Sequence, residues 1–200
     1  MLVNIHLLMT NRQLEIINAA GKILSSEGLG GLTIKNIAAE MQFSESAIYR
    51  HFKSKEEIIL AMLNFLAVDM QERCQRFLIK DTSAQLQLEA LFEHQIKHFK
   101  AYPYFVSVVF SDGLLEESDR INHAVKKVMN VKYQLLLPSI EKGQAAGEIT
   151  NEIPGHNIVE ILMGAFRLQM FKWKSSRFTS KIETDGNEIM ANLISLIAHK

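Results

Sequence analysis

The chain has 200 residues, 48% of them hydrophobic, enough to bury a sizeable core and too many for a disordered polymer. Its 22 basic and 22 acidic side chains cancel, so no bulk positive field draws it to nucleic acid, and any such attraction must come from a local patch. The single cysteine, Cys74, excludes a disulfide framework and a multi-cysteine zinc site, and it suits a reducing cytoplasm.

The leading stretch MLVNIHLLM is apolar but has no basic start, long apolar centre or small-residue cleavage site. It is a poor secretory signal, and Met9 stands as an alternative start. No apolar run approaches the ~18 residues that a membrane span needs, so no membrane partner is expected. Three prolines and ten glycines punctuate a chain whose apolar residues recur at helical spacing almost throughout. The expected fold is therefore all-α, with about nine helices.

Residues 11–27 carry the stripe Ile16, Ile17, Ala20, Ile23, Leu24, and Gly28 follows as a glycine stop. Thr33 reads as the N-cap of a short helix to residue 41, with Ile34, Ile37, Ala38 and Met41 inward. Gln42 and Phe43 make a turn. Ser44 caps a helix over residues 45–52 that packs with Ala47, Ile48 and Phe52, and Ser54 starts a longer helix through Leu60, Leu63 and Leu66. Further on, Leu88, Leu91, Phe92, Ile96 and Phe99 give one stripe, and Pro103 then starts a short helix with Phe105, Val108, Val109 and Phe110. A long helix over residues 118–146 ends at Gly147 and contains Pro138, where a kink is expected. Helices over residues 155–174 and 184–199 close the chain, the last opened by Asp185 with Glu188 in a capping-box-like arrangement.

Two short helices joined by a turn, residues 33–41 and 45–52, have the size of a helix-turn-helix. A helix that enters the major groove needs short polar residues near its start and phosphate donors around it. Ser44, Glu45 and Ser46 stand at that start, followed by Ala47. From Ala47 to Lys55 the chain holds Arg50, His51, Lys53 and Lys55 with no acid. Tyr49, His51 and Lys55 are placed to reach backbone oxygens, and Lys35 on the first short helix completes the candidate DNA-binding set.

From Ile17 to Leu60 the chain resembles the DNA-binding domain of the TetR (tetracycline repressor) family of bacterial transcriptional regulators. The matching residues are Ala20, Gly28, Thr33, Ile37-Ala38, Ser44 and, above all, Ile48-Tyr49-Arg50-His51-Phe52-Lys53-Ser54-Lys55-Glu56. The resemblance implies that Thr33, Tyr49 and Lys55 mainly bind phosphates, that Ser44 and His51 are contact positions, and that Glu45 to Ala47 face bases. It also implies an N-terminal three-helix DNA-binding domain over residues 10–56, a fourth helix running on to about residue 80, and an effector-binding and dimerisation domain over residues 81–200. Gln42 stands where the family commonly has glycine, which calls for a left-handed backbone at a cost of roughly 1 kcal/mol. Glu45 puts an acid at the groove-facing end, where it can accept from a cytosine amino group. The stretch Gly143 to Ile149, with Met163-Gly164 and Trp173, is also similar to many members, and it identifies no ligand.

In the second part Gln95 interrupts an apolar stripe, and a polar group facing a helical core needs a partner. Gln95, Phe99, Tyr133 and Phe166 are the expected pocket residues for an unknown small-molecule effector. Ile158, Ile161, Leu162, Ala165, Leu193, Ile194 and Ile197, with Gly164 between them, suggest a homodimer through the last two helices, and ordinary core packing is the competing explanation. His94 and His98 share one helix face at a chelating spacing, but two ligands make no metal site, and metal is not expected. No nucleophile elbow, phosphate-cradling glycine loop or paired catalytic acids are present, so neither an enzyme nor a cofactor is expected. The leading function is a repressor that an effector releases from double-stranded operator DNA. The alternatives are a metal- or small-molecule-binding helical protein or enzyme using His94 and His98, and a protein-interaction module.

Overall fold

The computed structural model describes residues 9–75, 82–110, 113 and 118–198. The octet before Met9, the expected run of the fourth helix over residues 76–80, the expected domain start at residue 81 and the end of the last helix at residue 199 lie outside the described residues. Nine helices are found among the described residues: α1 Asn11–Gly31, α2 Ile34–Glu40, α3 Glu45–Tyr49, α4 Lys55–Gln75, α5 Ala84–Ala101, α6 Tyr104–Val109, α7 Asp119–Ala145, α8 Gly155–Ser175 and α9 Ile182–Ile197. An isolated antiparallel bridge joins Ile149 to Ala198.

The chain divides into two compact units. The first holds the described residues of Met1–Asp69 and Pro103–Met129, and the second those of Met70–Tyr102 and Asn130–Lys200. Both α4 and α7 therefore contribute to each.

In the first unit, hydroxyl caps set where helices begin. Thr10 and Gln13 form a capping box at α1. Thr33 Oγ1 accepts from Asn36 N at 3.1 Å, Ser44 Oγ from Ala47 N at 3.3 Å and Ser54 Oγ from Glu57 N at 3.2 Å. Each satisfies a donor that the helix cannot and contributes about 1 kcal/mol. Gly28 (φ +70°) interrupts α1, which resumes for a last turn to Gly31, so the glycine breaks the helix and does not end it. The inward residues of α1, including Ile16, Ile17 and Ala20, are fully buried, as are Ile37 and Ile48. Burying each such isoleucine contributes roughly 1.5–3 kcal/mol.

Helix α6 packs on α1, and Gly21 permits it. A Cβ at Gly21 would lie 2.4 Å from Tyr104 Cγ, so the ring rests directly on the backbone of α1 while its hydroxyl donates to Asn18 Oδ1 at 2.9 Å. Glu56 at the start of α4 accepts from Ser118 Oγ at 2.6 Å and Arg120 Nη1 at 2.8 Å, joining α4 to the beginning of α7.

In the second unit, α9 packs on α5 and α8. Ser83 caps α5, and Glu148 Oε2 takes the Ala84 N–H at 2.6 Å. α7 runs as one helix through Pro138 and ends before Gly147 (φ +71°), with the Glu148 N–H closing on Gly143 O at 2.8 Å, a glycine-type stop. α9 differs from expectation at its start. It begins at Ile182, two residues early, with Lys181 at the cap and no side-chain cap bond, so Asp185 lies inside the first turn and no capping box forms with Glu188. An acid there still favours the positive end of the helix dipole.

Candidate nucleic-acid interface and buried cavity

Helix α3 is held by one face. Ile48 and Phe52 are buried, and Ser44, Glu45, Ser46, Tyr49 and Arg50 lie exposed, with Tyr49 half open to solvent at 50%. The helix is shorter than expected, ending at Tyr49 instead of residue 52. His51 N and Phe52 N both donate to Ile48 O, at 2.9 and 3.1 Å, so the final turn tightens and releases the chain toward the Ser54 cap of α4. His51 therefore sits half-buried in a turn. Gln42 has φ +56°, the left-handed conformation expected of it, and exposed Phe43 beside it lies 4.9 Å under the Arg12 guanidinium.

Thr33, Tyr49 and Lys55 come from three separate elements and line one open groove with Lys53 and Ser54. The cap bonds use the Thr33 and Ser44 oxygens as acceptors, which leaves each hydroxyl proton to donate elsewhere. Ser44 Oγ and Ser46 Oγ are 2.9 Å apart, Ala47 is half-buried behind them, and Lys35 is exposed on α2. The acid neighbours do not fill the groove: Glu56 is engaged by Ser118 and Arg120, while Glu57 Oε2 accepts the backbone N–H of Lys53 at 2.7 Å. Hydroxyl, phenol and ammonium donors around the exposed start of a helix form an arrangement suited to a phosphate backbone, with the α3 face toward base edges.

The pocket residues expected in the second unit come together in part. Phe166 is 5.4 Å from Phe92 and 6.2 Å from Phe99 between ring centroids, and all three are buried. Gln95 is 3% exposed, and its amide oxygen and nitrogen both lack a hydrogen-bond partner. Tyr133 is half-buried, and the residue of α7 that enters this cluster is its neighbour Lys132. Part of the Lys132 stem is touched by solvent, but its Nζ is buried, has no hydrogen-bond partner and stands 3.2 Å from the Phe166 centroid and 4.7 Å from that of Phe92. Burial pushes this ammonium down to about 7, with the Cys74 sulfur acting in the opposite sense. Sequence reasoning missed Lys132, although it lies four residues after buried Val128 and four before buried Leu136, on the inward stripe.

His94 Nδ1 is 3.0 Å from Arg73 Nη1, a donor that occupies the lone pair a metal would need, and the His98 ring lies 5.1 Å from that of Tyr102. No group of three or more His, Cys, Asp or Glu placed to hold a metal ion occurs among the described residues. Likewise, no described helix is long and apolar enough to cross a membrane.

Of the residues expected at a dimer interface, four are buried, Ala165 and Leu193 are half-buried, and Ile161 and Gly164 are exposed; Leu168, Phe171 and Leu196 are not among them. Ile158, Leu162, Ile194 and Ile197 are buried within the unit, so for them core packing is the explanation. Ile161, Leu168 and Phe171 on α8 remain 47%, 49% and 55% exposed, and Leu196 on α9 is 80% exposed. Gly164 lies on the same side of α8, and a Cβ there would meet nothing within 4 Å.

Comparison with known proteins agrees with this geometry. The family described as bacterial regulatory proteins, tetR family, matches residues 16–62. The nucleoid occlusion factor SlmA of Citrobacter koseri is 30% identical over 173 residues, covering 84% of this chain and 83% of that one. YuxN of Bacillus subtilis, an uncharacterised HTH-type transcriptional regulator, is 26% identical over 136 residues, and this chain spans 45% of its length. In fold, the chain is similar to the transcriptional regulator FadR from Bacillus subtilis in complex with stearoyl-CoA, with a TM-score of 0.80 at 17% identity over 92% of this chain and 98% of that one.

Proposed function

Because the chain belongs to the TetR family of bacterial regulatory proteins, we propose that this transcriptional regulator is a cytoplasmic repressor, released from its operator when a small molecule binds its C-terminal part. In this reading residues 10–56 bind DNA, and the unit containing α5, α8 and α9 binds the effector and dimerises. Glu45, Ser46 and Ala47 meet base edges. Thr33, Ser44, Tyr49, His51 and Lys55 hold the backbone, with Lys35 and Arg50 on its flanks. Gln95, Phe99 and Phe166 line the effector site. The observation that carries the reading is the shared groove of Thr33, Tyr49 and Lys55 beside an exposed α3.

A second copy is the proposed occupant of the exposed stripe of Ile161, Leu168 and Phe171, because a helix-turn-helix of this kind reads two successive major grooves, roughly 34 Å apart. An effector that favours a dimer with a different half-site separation then weakens DNA binding by its differential affinity for the two states. The test is binding of the full chain to DNA upstream of its own gene, by gel shift at rising salt. Binding that falls steeply with salt and yields one protected palindrome supports the proposal. No retardation at low salt overturns it.

The 30% identity to SlmA over most of its length favours one other reading, a nucleoid occlusion factor. Chromatin immunoprecipitation separates the two. A few promoter-proximal sites favour the repressor, and dispersed sites with a division phenotype on deletion favour nucleoid occlusion.

A further inference from the structure

The second unit carries a buried ammonium and a buried primary amide that the fold leaves without partners. Lys132 Nζ on α7 and both polar atoms of Gln95 on α5 are out of solvent and make no hydrogen bond. The two side chains line the same cavity, of about 10 Å³, with Met70, Leu91, Leu135 and Leu136 among its walls. Such groups are costly to bury, and the fold has not relieved the cost with a carboxylate. The ring faces of Phe166 and Phe92 stand where a counterion otherwise would. Two orphaned donor groups converging on one apolar cavity are what a ligand-binding site looks like before its ligand arrives.

We propose that Lys132 and Gln95 form the recognition point for a monoanionic carboxylate carried on an apolar body, an aliphatic or aryl acid. The assignment rests on the effector-responsive reading above and names the chemical class of that effector. One carboxylate oxygen accepts from the Lys132 ammonium and the other from the Gln95 amide nitrogen, so two unsatisfied donor groups and a full charge are matched at once. A phosphate is a poorer match, because a second negative charge would find no second cation in a cavity whose other walls are Met, Cys, Leu, Phe and Gln. The body of the acid follows the thioether and aliphatic walls. As it stands, the cavity has room for no more than about one water molecule, so Met70, Leu91, Leu135 and Leu136 must rotate to admit it, and the open form is a minor state that the ligand selects. Flexible, unbranched Met70 on α4 is suited to that movement.

The experiment is calorimetric titration of the full chain, without DNA, with straight-chain carboxylates of increasing length and with the alcohols of matching length. Lys132→Met and Gln95→Leu serve as variants, and lysine side-chain NMR follows the Lys132 resonance. The expected result is a preference for carboxylate over alcohol of roughly tenfold or more, its loss in Lys132→Met with the alcohol's affinity retained, and a Lys132 signal that moves on binding. Equal affinities, a preference that survives in Lys132→Met, or a Lys132 signal unmoved by a bound acid overturn the assignment and leave the effector reading intact. Failure of every acid and alcohol to bind also overturns it. Screening other compounds for release of operator DNA then decides the effector reading separately.

Discussion

Replacing Lys132 by Met should make the protein more stable, and by an amount that depends on pH. Met keeps the length and the apolar contacts of the lysine stem and removes the buried ammonium. The folded chain holds that group near 7 against its ordinary 10.5. At 1.36 kcal/mol per unit this sets a ceiling of about 5 kcal/mol on the cost of the charge. The sign follows from proton counting. Above about pH 10.5 the amine is neutral whether the chain is folded or unfolded, and the substitution changes nothing through charge. Between about pH 7 and 10.5 the unfolded chain binds a proton that the folded chain does not, so wild-type stability rises with pH by about 1.4 kcal/mol per unit. Below about pH 7 both states are protonated and the full cost remains. The assay is urea unfolding followed by Trp173, the one tryptophan, which is buried in the same unit. Comparing variant with wild type cancels the titration of other groups. The advantage of Lys132→Met should be about 4 kcal/mol near pH 7 and should shrink by roughly 2 kcal/mol by pH 9. A variant no more stable than wild type at neutral pH, or an advantage that stays flat from about pH 6 to 10, would refute the argument that Lys132 is a desolvated cation.

Three further outcomes follow from the same structure. Tyr49→Phe and Lys55→Ala should weaken binding to all duplexes alike, and Lys55→Ala should reduce the salt slope by about one counterion, read by anisotropy at several salt concentrations. Selective loss on one sequence would assign these residues to bases. Gln42→Gly should raise stability by up to about 1 kcal/mol by relieving the left-handed backbone at φ +56°, measured as a shift in the denaturation midpoint with unchanged slope. Phe171→Asp, on the exposed stripe of α8, should convert a dimer to a monomer in sedimentation at micromolar concentration while the helical circular dichroism stays native. A dimer that persists would place the interface elsewhere.

Elements that depend on local chemistry were legible in the sequence. Thr33, Ser44 and Ser54 announced three helix starts because a short side chain bearing an oxygen has one obvious task there, and Gln42 announced its own strain. The failures share a cause. Asp185 and Glu188 have capping spacing, yet α9 begins earlier because Ile182, Met190 and Ile194 are drawn into the core, and burial outweighs a cap. The residues expected at a dimer interface divide between core and surface for the same reason. Ile158 and Leu162 are as apolar as Leu168 and Phe171, and only packing against other helices decides which face stays exposed. Lys132 is legible in register, in step with buried Val128 and Leu136, whereas its aromatic neighbour Tyr133 is half-buried. A lysine on an inward stripe is the stronger signal, because it is the residue the core tolerates least.

The size of the proposed DNA interface explains why dimerisation and effector binding belong in one proposal. α3 presents five residues, of which Ile48 is turned inward and Ala47 is half-buried, so few side chains remain to read bases. Each good base contact contributes about 1–3 kcal/mol of discrimination, and the formal net charge of zero adds no general attraction beyond the local cations. One unit alone therefore falls short of the ~11–15 kcal/mol that specific sites commonly require. Two linked units reach it, since the second binds at an effective concentration far above that of a free protein, provided their separation matches the half-sites. Release in the proposed mechanism needs no change within either DNA-reading surface. A misfit in spacing removes the second unit's contribution, and a coupling of about 1–3 kcal/mol from the effector is enough to move occupancy by an order of magnitude or more.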